Sequence, residues 1–304
     1  MLTRRGAFLL FGALVFLVEP TVGQAGQVGP NGSENHQPDR PLGSIIDLDN
    51  GAIRVEVEPR LFSVRFVGFS GGPNFVQPLT VGEAVAVGSD WVDAGGMHTD
   101  LIPFAQKDAA VRRGPAEVIE RRPDYVAMLG PASEQTGMRI KKEVQLLGKS
   151  ARARFRVTAL RVGEGAARFA LRNTVRLPEK STIRIERTDG DVKAVGGTES
   201  KGATVVRSRR YWIIPVPPTQ DTKGVVLGAF VPRVITVNDS GSWTRRLVSM
   251  PKSPEETPNA HTLLCVLDDP SRSYGVSLQG AAAEVKKGET ISLEEEWVFD
   301  ARGR

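Results

Sequence analysis

The chain has 304 residues, 40 Lys and Arg against 35 Asp and Glu for a formal charge of +5, and a single cysteine, Cys265. One cysteine excludes an internal disulfide framework, and three histidines, with His36 in a polar N-terminal stretch, leave no spacing suited to a zinc site. The basic balance would suit an anionic partner, but no nucleic-acid motif is present, and 32 Gly with 20 Pro favour short strands and turns over long helices.

At the N-terminus, Arg4 and Arg5 precede an uncharged apolar run from Ala7 to Val18, and Gly23-Gln24-Ala25 offers the small-x-small pattern of a signal-peptidase site. The run is shorter than the about 20 residues that a spanning helix needs. Residues 1–25 therefore read as a signal peptide, and the mature chain as exported, periplasmic or extracellular, with no stable membrane span. Residues 26–43 are rich in Gly, Pro and Asn without periodicity and read as a disordered tether, leaving 44–304 for one large all-β domain or two smaller ones.

Strand signals then follow one another. Ile45 to Leu48 leads to the turn Asp49-Asn50-Gly51, after which Ile53, Val55 and Val57 alternate with Arg54, Glu56 and Glu58 until Pro59 ends the run. Further strands are expected at about 61–69, 116–129, 138–147, 151–161, 166–177, 182–187, 191–195, 203–215, 224–230, 233–237, 244–249 and 260–267. Between about 70 and 108 lies a long irregular segment holding Trp91, His98, Asp100 and Gln106, and a loop of that length in a compact domain usually has a task. Alternation through Tyr274, Val276 and Leu278, a turn at Lys286 to Glu289, and alternation through Ile291, Leu293 and Trp297 read as a closing hairpin. The arginines at 152, 154 and 156 alternate with Ala153 and Phe155, as on one solvated strand face, and Cys265 sits in an apolar run as a buried thiol.

Three short motifs are better explained as turns. Gly68-Phe69-Ser70-Gly71-Gly72 matches G-x-S-x-G, but the Gly-Gly-Pro that follows Ser70 opposes the helix a nucleophile elbow needs. Gly148-Lys149-Ser150 lacks the earlier glycine of a phosphate loop, and Asp47 to Gly51 lacks the later glutamate of a calcium loop. No cofactor is implied.

The order NGAIRVEVEP, GGPNFVQPL, GGMHTDLIPFAQ, TGMRIKKEVQL, KGVVLGAFVPR and YGVSLQGAAAEVKKGETISLEEEW, over about residues 44–299, resembles the galactose mutarotase-like proteins of the aldose 1-epimerase superfamily, and more narrowly a bacterial branch of them. That resemblance implies an all-β, large antiparallel supersandwich with a sugar-binding face. It also implies the acid and base of mutarotation, a histidine protonating the ring oxygen and a glutamate taking the C1 hydroxyl proton. The strand that carries glutamates in the related branch reads Val276, Ser277, Leu278 and Gln279 here, so the expected base is missing. The P-x-x-G-G-R-I pattern after the first hairpin is also replaced, by Pro59-Arg60-Leu61-Phe62-Ser63.

Among the remaining candidates, His98 follows Gly95-Gly96-Met97 and stands beside Asp100, which can orient its ring. His261 begins a strand after a proline-rich loop, and Glu134, Asp100 or Glu143 is a candidate displaced acid. Trp91 and Trp212 offer faces for stacking against a pyranose, Gln106 shares the long loop, and Arg139 and Arg172 can bind a carboxylate or hydroxyl from a strand. The expected function is an exported protein that binds a carbohydrate or cell-envelope glycan without proven catalysis. The alternative is an aldose 1-epimerase-like or other carbohydrate-active enzyme using a histidine acid and a displaced carboxylate.

Overall fold

Alternation with period two dictates most of the architecture, because it puts every second side chain of a strand on one face. In the computed structural model of the chain the described residues are 45–77, 96–103, 111, 115–187, 192–194, 205–216, 225–239, 241–249, 263–268 and 273–301. The expected leader (1–25) and tether (26–43) lie outside them.

The first half of the chain forms β1 (Ile46–Asp49), β2 (Ile53–Glu58), β3 (Ser63–Phe69), β4 (Met97–Ile102), β5 (Glu117–Arg122), β6 (Tyr125–Ala132), β7 (Met138–Leu146), β8 (Arg152–Arg161), β9 (Ala167–Leu177) and β10 (Thr182–Glu186). The second half forms β11 (Lys193–Ala194), β12 (Val206–Arg207), β13 (Tyr211–Pro215), β14 (Val225–Ala229), β15 (Arg233–Asn238), β16 (Gly241–Leu247), β17 (Leu263–Asp268), β18 (Ser273–Gln279), β19 (Ala283–Val285) and β20 (Thr290–Asp300). One sheet runs β1-β2-β3-β4-β9-β18-β17-β14-β11, with β19 added alongside β9. The other runs β12-β13-β10-β15-β16-β20-β8-β7-β6-β5.

Between the sheets lies one apolar cluster, to which β2 contributes Ile53, Val55 and Val57, β9 Leu171 and Val175, β7 Ile140 and Val144, and β8 Phe155 and Val157. Two tryptophans anchor it: Trp297 lies 4.4 Å from the Phe155 ring, and Trp243 lies 5.0 Å from Phe75. Two charged side chains also cross it. Lys142 of β7 donates to the Phe62 carbonyl at 2.6 Å and lies over that residue's ring. Arg245 of β16, fully buried, forms a two-point ion pair with Glu295 of β20 and reaches the first sheet by donating to the carbonyls of Asn173 (3.1 Å) and Val276 (2.7 Å).

Several sequence expectations are corrected. The closing hairpin is not one: β18 pairs with β9 and β17 in one sheet, β20 pairs with β8 and β16 in the other, and β19 carries the crossing. Both terminal runs alternate, but alternation does not say which sheet a strand joins. The run expected at 116–129 is the hairpin β5–β6, broken at Pro123-Asp124, and that at 203–215 is broken by a turn in which Ser208 Oγ accepts from the Tyr211 amide at 2.8 Å. Part of the expected loop 70–108 is strand β4, discussed below.

The three rival motifs are turns. Ser70 donates to Asp49 at 2.6 Å, and Gly71 takes a left-handed φ of 72°. The Asn50 amide donates to the carbonyls of Gly148 (2.7 Å) and Ser150 (3.0 Å), so the β1–β2 turn is tied to the β7–β8 turn.

On the outer face of the second sheet, Glu296 accepts from Arg246 and from Arg152, each at 2.8 Å. Burial pushes the Glu296 carboxyl up, but these two guanidinium hydrogen bonds outweigh it and hold the group below its ordinary value of 4.5. A carboxyl depressed on folding contributes stability above its unfolded pKa and loses it as pH falls through the folded one. Thermal midpoints followed from about pH 6 to about pH 3 are therefore expected to fall less steeply for Glu296→Gln than for the parent chain. Parallel curves would show that the pair contributes nothing.

Candidate functional site

The three central strands of the first sheet, β4, β9 and β18, carry polar side chains on the face turned away from the core. On the core face stand Met97, Thr99 and Leu101 from β4, Leu171, Asn173 and Val175 from β9, and Val276 and Leu278 from β18, where Thr99 donates to Asn173 at 2.8 Å. The alternate positions are His98 and Asp100; Arg172, Thr174 and Arg176; and Gly275, Ser277 and Gln279. Strand register lines them up in rows. His98 is opposite Thr174, which is opposite Ser277; Asp100 is opposite Arg172, which is opposite Gln279; and Arg176 faces Gly275.

These rows are buried although they face away from the core: His98 is 5 % exposed, Asp100 2 %, Arg176 3 % and Ser277 1 %. On the same face of the neighbouring β2 and β3, Arg54 and Arg65 pair with Glu56 as ordinary, more exposed ion pairs. Asp100 is the focus of the buried set. Its carboxylate lies 3.8 Å from His98 Nε2 and 3.3 Å from Arg172 Nη2, and Thr174 and Ser277 share a hydroxyl hydrogen bond of 2.8 Å. Arg172 Nε is buried and makes no hydrogen bond among the described residues. Buried guanidinium donors are nearly always satisfied, so this one is suited to a ligand oxygen.

The candidates from sequence thus separate. His98, Asp100 and Arg172 come together across β4 and β9. Arg139 does not join them: it lies on β7 of the other sheet and donates to the Gly130 carbonyl at 3.0 Å. Trp212 is on β13, also in the other sheet, with the Arg187 and Arg207 guanidiniums 5.8 and 5.5 Å from its ring centre. Glu134 is exposed in the β6–β7 turn, and Glu143 of β7 accepts from Tyr125 at 2.6 Å and Lys141 at 3.0 Å, so neither faces His98. Trp91, Gln106 and His261 lie outside the described residues. The sequence reading passed over Thr174 and Arg176, although the spacing Arg172-x-Thr174-x-Arg176 within one strand places all three on a single face.

Gln77 and Gly96 meet at the end of β9. Gly96 donates to the Gln77 carbonyl at 2.7 Å, Gln77 donates to the Arg176 carbonyl, and Arg176 donates back to Gly96. His98 is thus two residues beyond a backbone junction fixed to β9.

No protein-family model and no curated protein sequence matches the chain. Solved structures do. A galactose mutarotase related enzyme from Lactobacillus acidophilus matches with a TM-score of 0.57 at 9 % identity, over 85 % of this chain and 98 % of that one. A galactose mutarotase-like protein from Lactobacillus casei matches with a TM-score of 0.55 at 8 % identity, over 84 % of this chain and all of that one. An aldose epimerase homologue from C. elegans matches with a TM-score of 0.55 at 9 % identity, over 86 % and 99 % of the two chains. The fold is therefore the all-β galactose mutarotase-like supersandwich. Among the described residues, no helix is long and apolar enough to cross a membrane.

Proposed function

We propose that the protein is an exported sugar-binding supersandwich whose ligand seats against His98, Asp100 and Arg172. The observation that carries this reading is Asp100 itself, a buried carboxylate facing both His98 and Arg172, while Arg172 Nε has a donor to spare. A carboxylate and a guanidinium held side by side can accept and donate to neighbouring hydroxyls of one sugar. The export part of the proposal rests on the N-terminal Arg-Arg and apolar run.

A second reading, sugar epimerisation, draws support from the names of the fold neighbours. Mutarotation needs its acid and base on either side of the anomeric centre. Here Asp100 is the one carboxylate borne by β4, β9 and β18, and it stands two residues from His98 on the same strand. Ser277 and Gln279 occupy the strand across the site. That arrangement favours binding over catalysis.

Titration of the full chain with a panel of aldoses, combined with polarimetry of anomer exchange, separates the two. Saturable binding is expected, weakened about tenfold or more in His98→Ala and in Arg172→Gln, as for loss of a charged hydrogen bond. Exchange is expected to run at the uncatalysed rate. Acceleration that disappears in His98→Ala would replace this reading with the epimerase, and silence across the whole panel would reject both.

A further inference from the structure

A groove of about 550 Å³ opens on the outer face of the other sheet, away from the site above. Its floor is mixed: the half-buried Ile235 of β15 and Val298 of β20 form an aliphatic patch among polar side chains, beside the almost fully buried Val237 in the same phase of β15. Register aligns Arg184, Ile235, Thr244 and Val298 in one row, and Val237, Ser242 and Asp300 in the next, so the groove runs diagonally across β10, β15, β16 and β20. Arg184 and Tyr211 stand at one end and Asp300 at the other, separated by three strand spacings, on the order of 15 Å.

The two ends differ electrically. Beside Arg184 on the same face, Glu186 is taken twice, by Arg210 at 2.9 Å and by Arg233. Arg184 itself makes no ion pair among the described residues, and its Nε is buried without a hydrogen-bond partner. Among the described residues this end holds one carboxylate, Glu186, beside the guanidiniums of Arg184, Arg210 and Arg233. Arg210 also lies over the Tyr211 ring at 5.2 Å, fixing an aromatic wall next to the spare guanidinium. At the far end Thr244 and the exposed Asp300 supply a hydroxyl and a carboxylate, groups that pair with sugar hydroxyls.

We propose that this groove is a second binding site, for a short acidic saccharide. The sugar carboxylate would pair with Arg184, the adjacent ring would stack on Tyr211 with its C–H face over the aliphatic patch, and the hydroxyls of the next ring would reach Thr244 and Asp300. An uncharged sugar would leave Arg184 unpaired, and a compact anion would leave that patch uncovered.

The test is calorimetric titration of the full chain with a glucuronyl-glucose disaccharide and with cellobiose. The acidic disaccharide is expected to bind at least tenfold more tightly than cellobiose. Arg184→Gln should remove that preference, Arg184→Lys should keep part of it, and Tyr211→Ala should weaken both sugars. Equal affinity for the two disaccharides, no binding, or an unchanged preference in Arg184→Gln overturns the proposal. Loss of the preference in His98→Ala but not in Arg184→Gln assigns the ligand to the other face and also overturns it.

Discussion

Replacing Arg245 by methionine is expected to lower the stability of the domain by about 3–5 kcal/mol, because it strands the buried Glu295 carboxylate with Trp297 Nε1 as its remaining donor. For a domain of this size that corresponds to a fall in thermal midpoint of about 10 °C. The attraction within the pair is not the main reason. Two charges taken out of water cost about as much as their mutual attraction returns, whereas one charge left alone is uncompensated. The double variant Arg245→Met/Glu295→Leu should therefore be more stable than the single one. Its recovery should stop short of the parent, since Asn173 and Val276 lose the donors to their carbonyls in both variants. Those carbonyls belong to β9 and β18, alongside Thr174 and Ser277 on the opposite face. Sugar affinity should fall with stability in the single variant. A midpoint within about 2 °C of the parent would mean that the strut contributes little.

What marks this strut in the sequence is strand phase. Trp243, Arg245 and Leu247 share one phase of β16, and Leu293, Glu295 and Trp297 share one phase of β20. A charged residue in the apolar phase of its strand is a signal of a buried pair, and here two such strands are neighbours. Read as composition, WTRRL and LEEEW look like surface. Read as phase, Arg246 and Glu296 belong outside and Arg245 and Glu295 inside. The same confusion hid β4. Met97, Thr99 and Leu101 alternate as a strand should, but the intervening His98 and Asp100 are polar and the run is only six residues long, so it reads as part of the irregular segment around it. A strand whose polar phase is itself buried reads in sequence like a half-exposed one, and the burial of that phase shows only in the structure.

The parts that were legible rest on strong local chemistry. The Asp49-Asn50-Gly51 turn, Pro59, and the strict alternation of β7 and β8 each place an element without help from distant contacts. The motif order suggested the supersandwich, whose core is a sum of such strands. What sequence could not supply is partnership: which sheet β20 joins, that Arg139 and Trp212 stand on the sheet opposite His98, and that Arg172 meets Asp100. These follow from pairings between residues tens of positions apart, and no local propensity encodes them.

Gly96→Ala is the substitution expected to damage the candidate site most while changing none of its polar groups. Gly96 has a φ of 56°, and a Cβ there would lie 1.8 Å from the Val64 carbonyl oxygen, a backbone atom that cannot swing aside. The residue also cannot retreat. Its amide is held by Gln77, and its carbonyl by the Arg176 amide. Relief must come from moving the junction that launches β4, and with it His98 and Asp100 relative to Arg172. A loss of roughly 3–5 kcal/mol is expected, with sugar binding at this face lost even below the melting transition. Gly148→Ala supplies the control. Gly148 has nearly the same φ of 60°, yet nothing lies within 4 Å of its Cβ position, so its cost is the left-handed backbone alone, about 1 kcal/mol. The difference between the two variants measures the clash at Gly96. If they lose equal stability and Gly96→Ala still binds sugar, the junction yields freely and the rigid placement of His98 is not what makes the site.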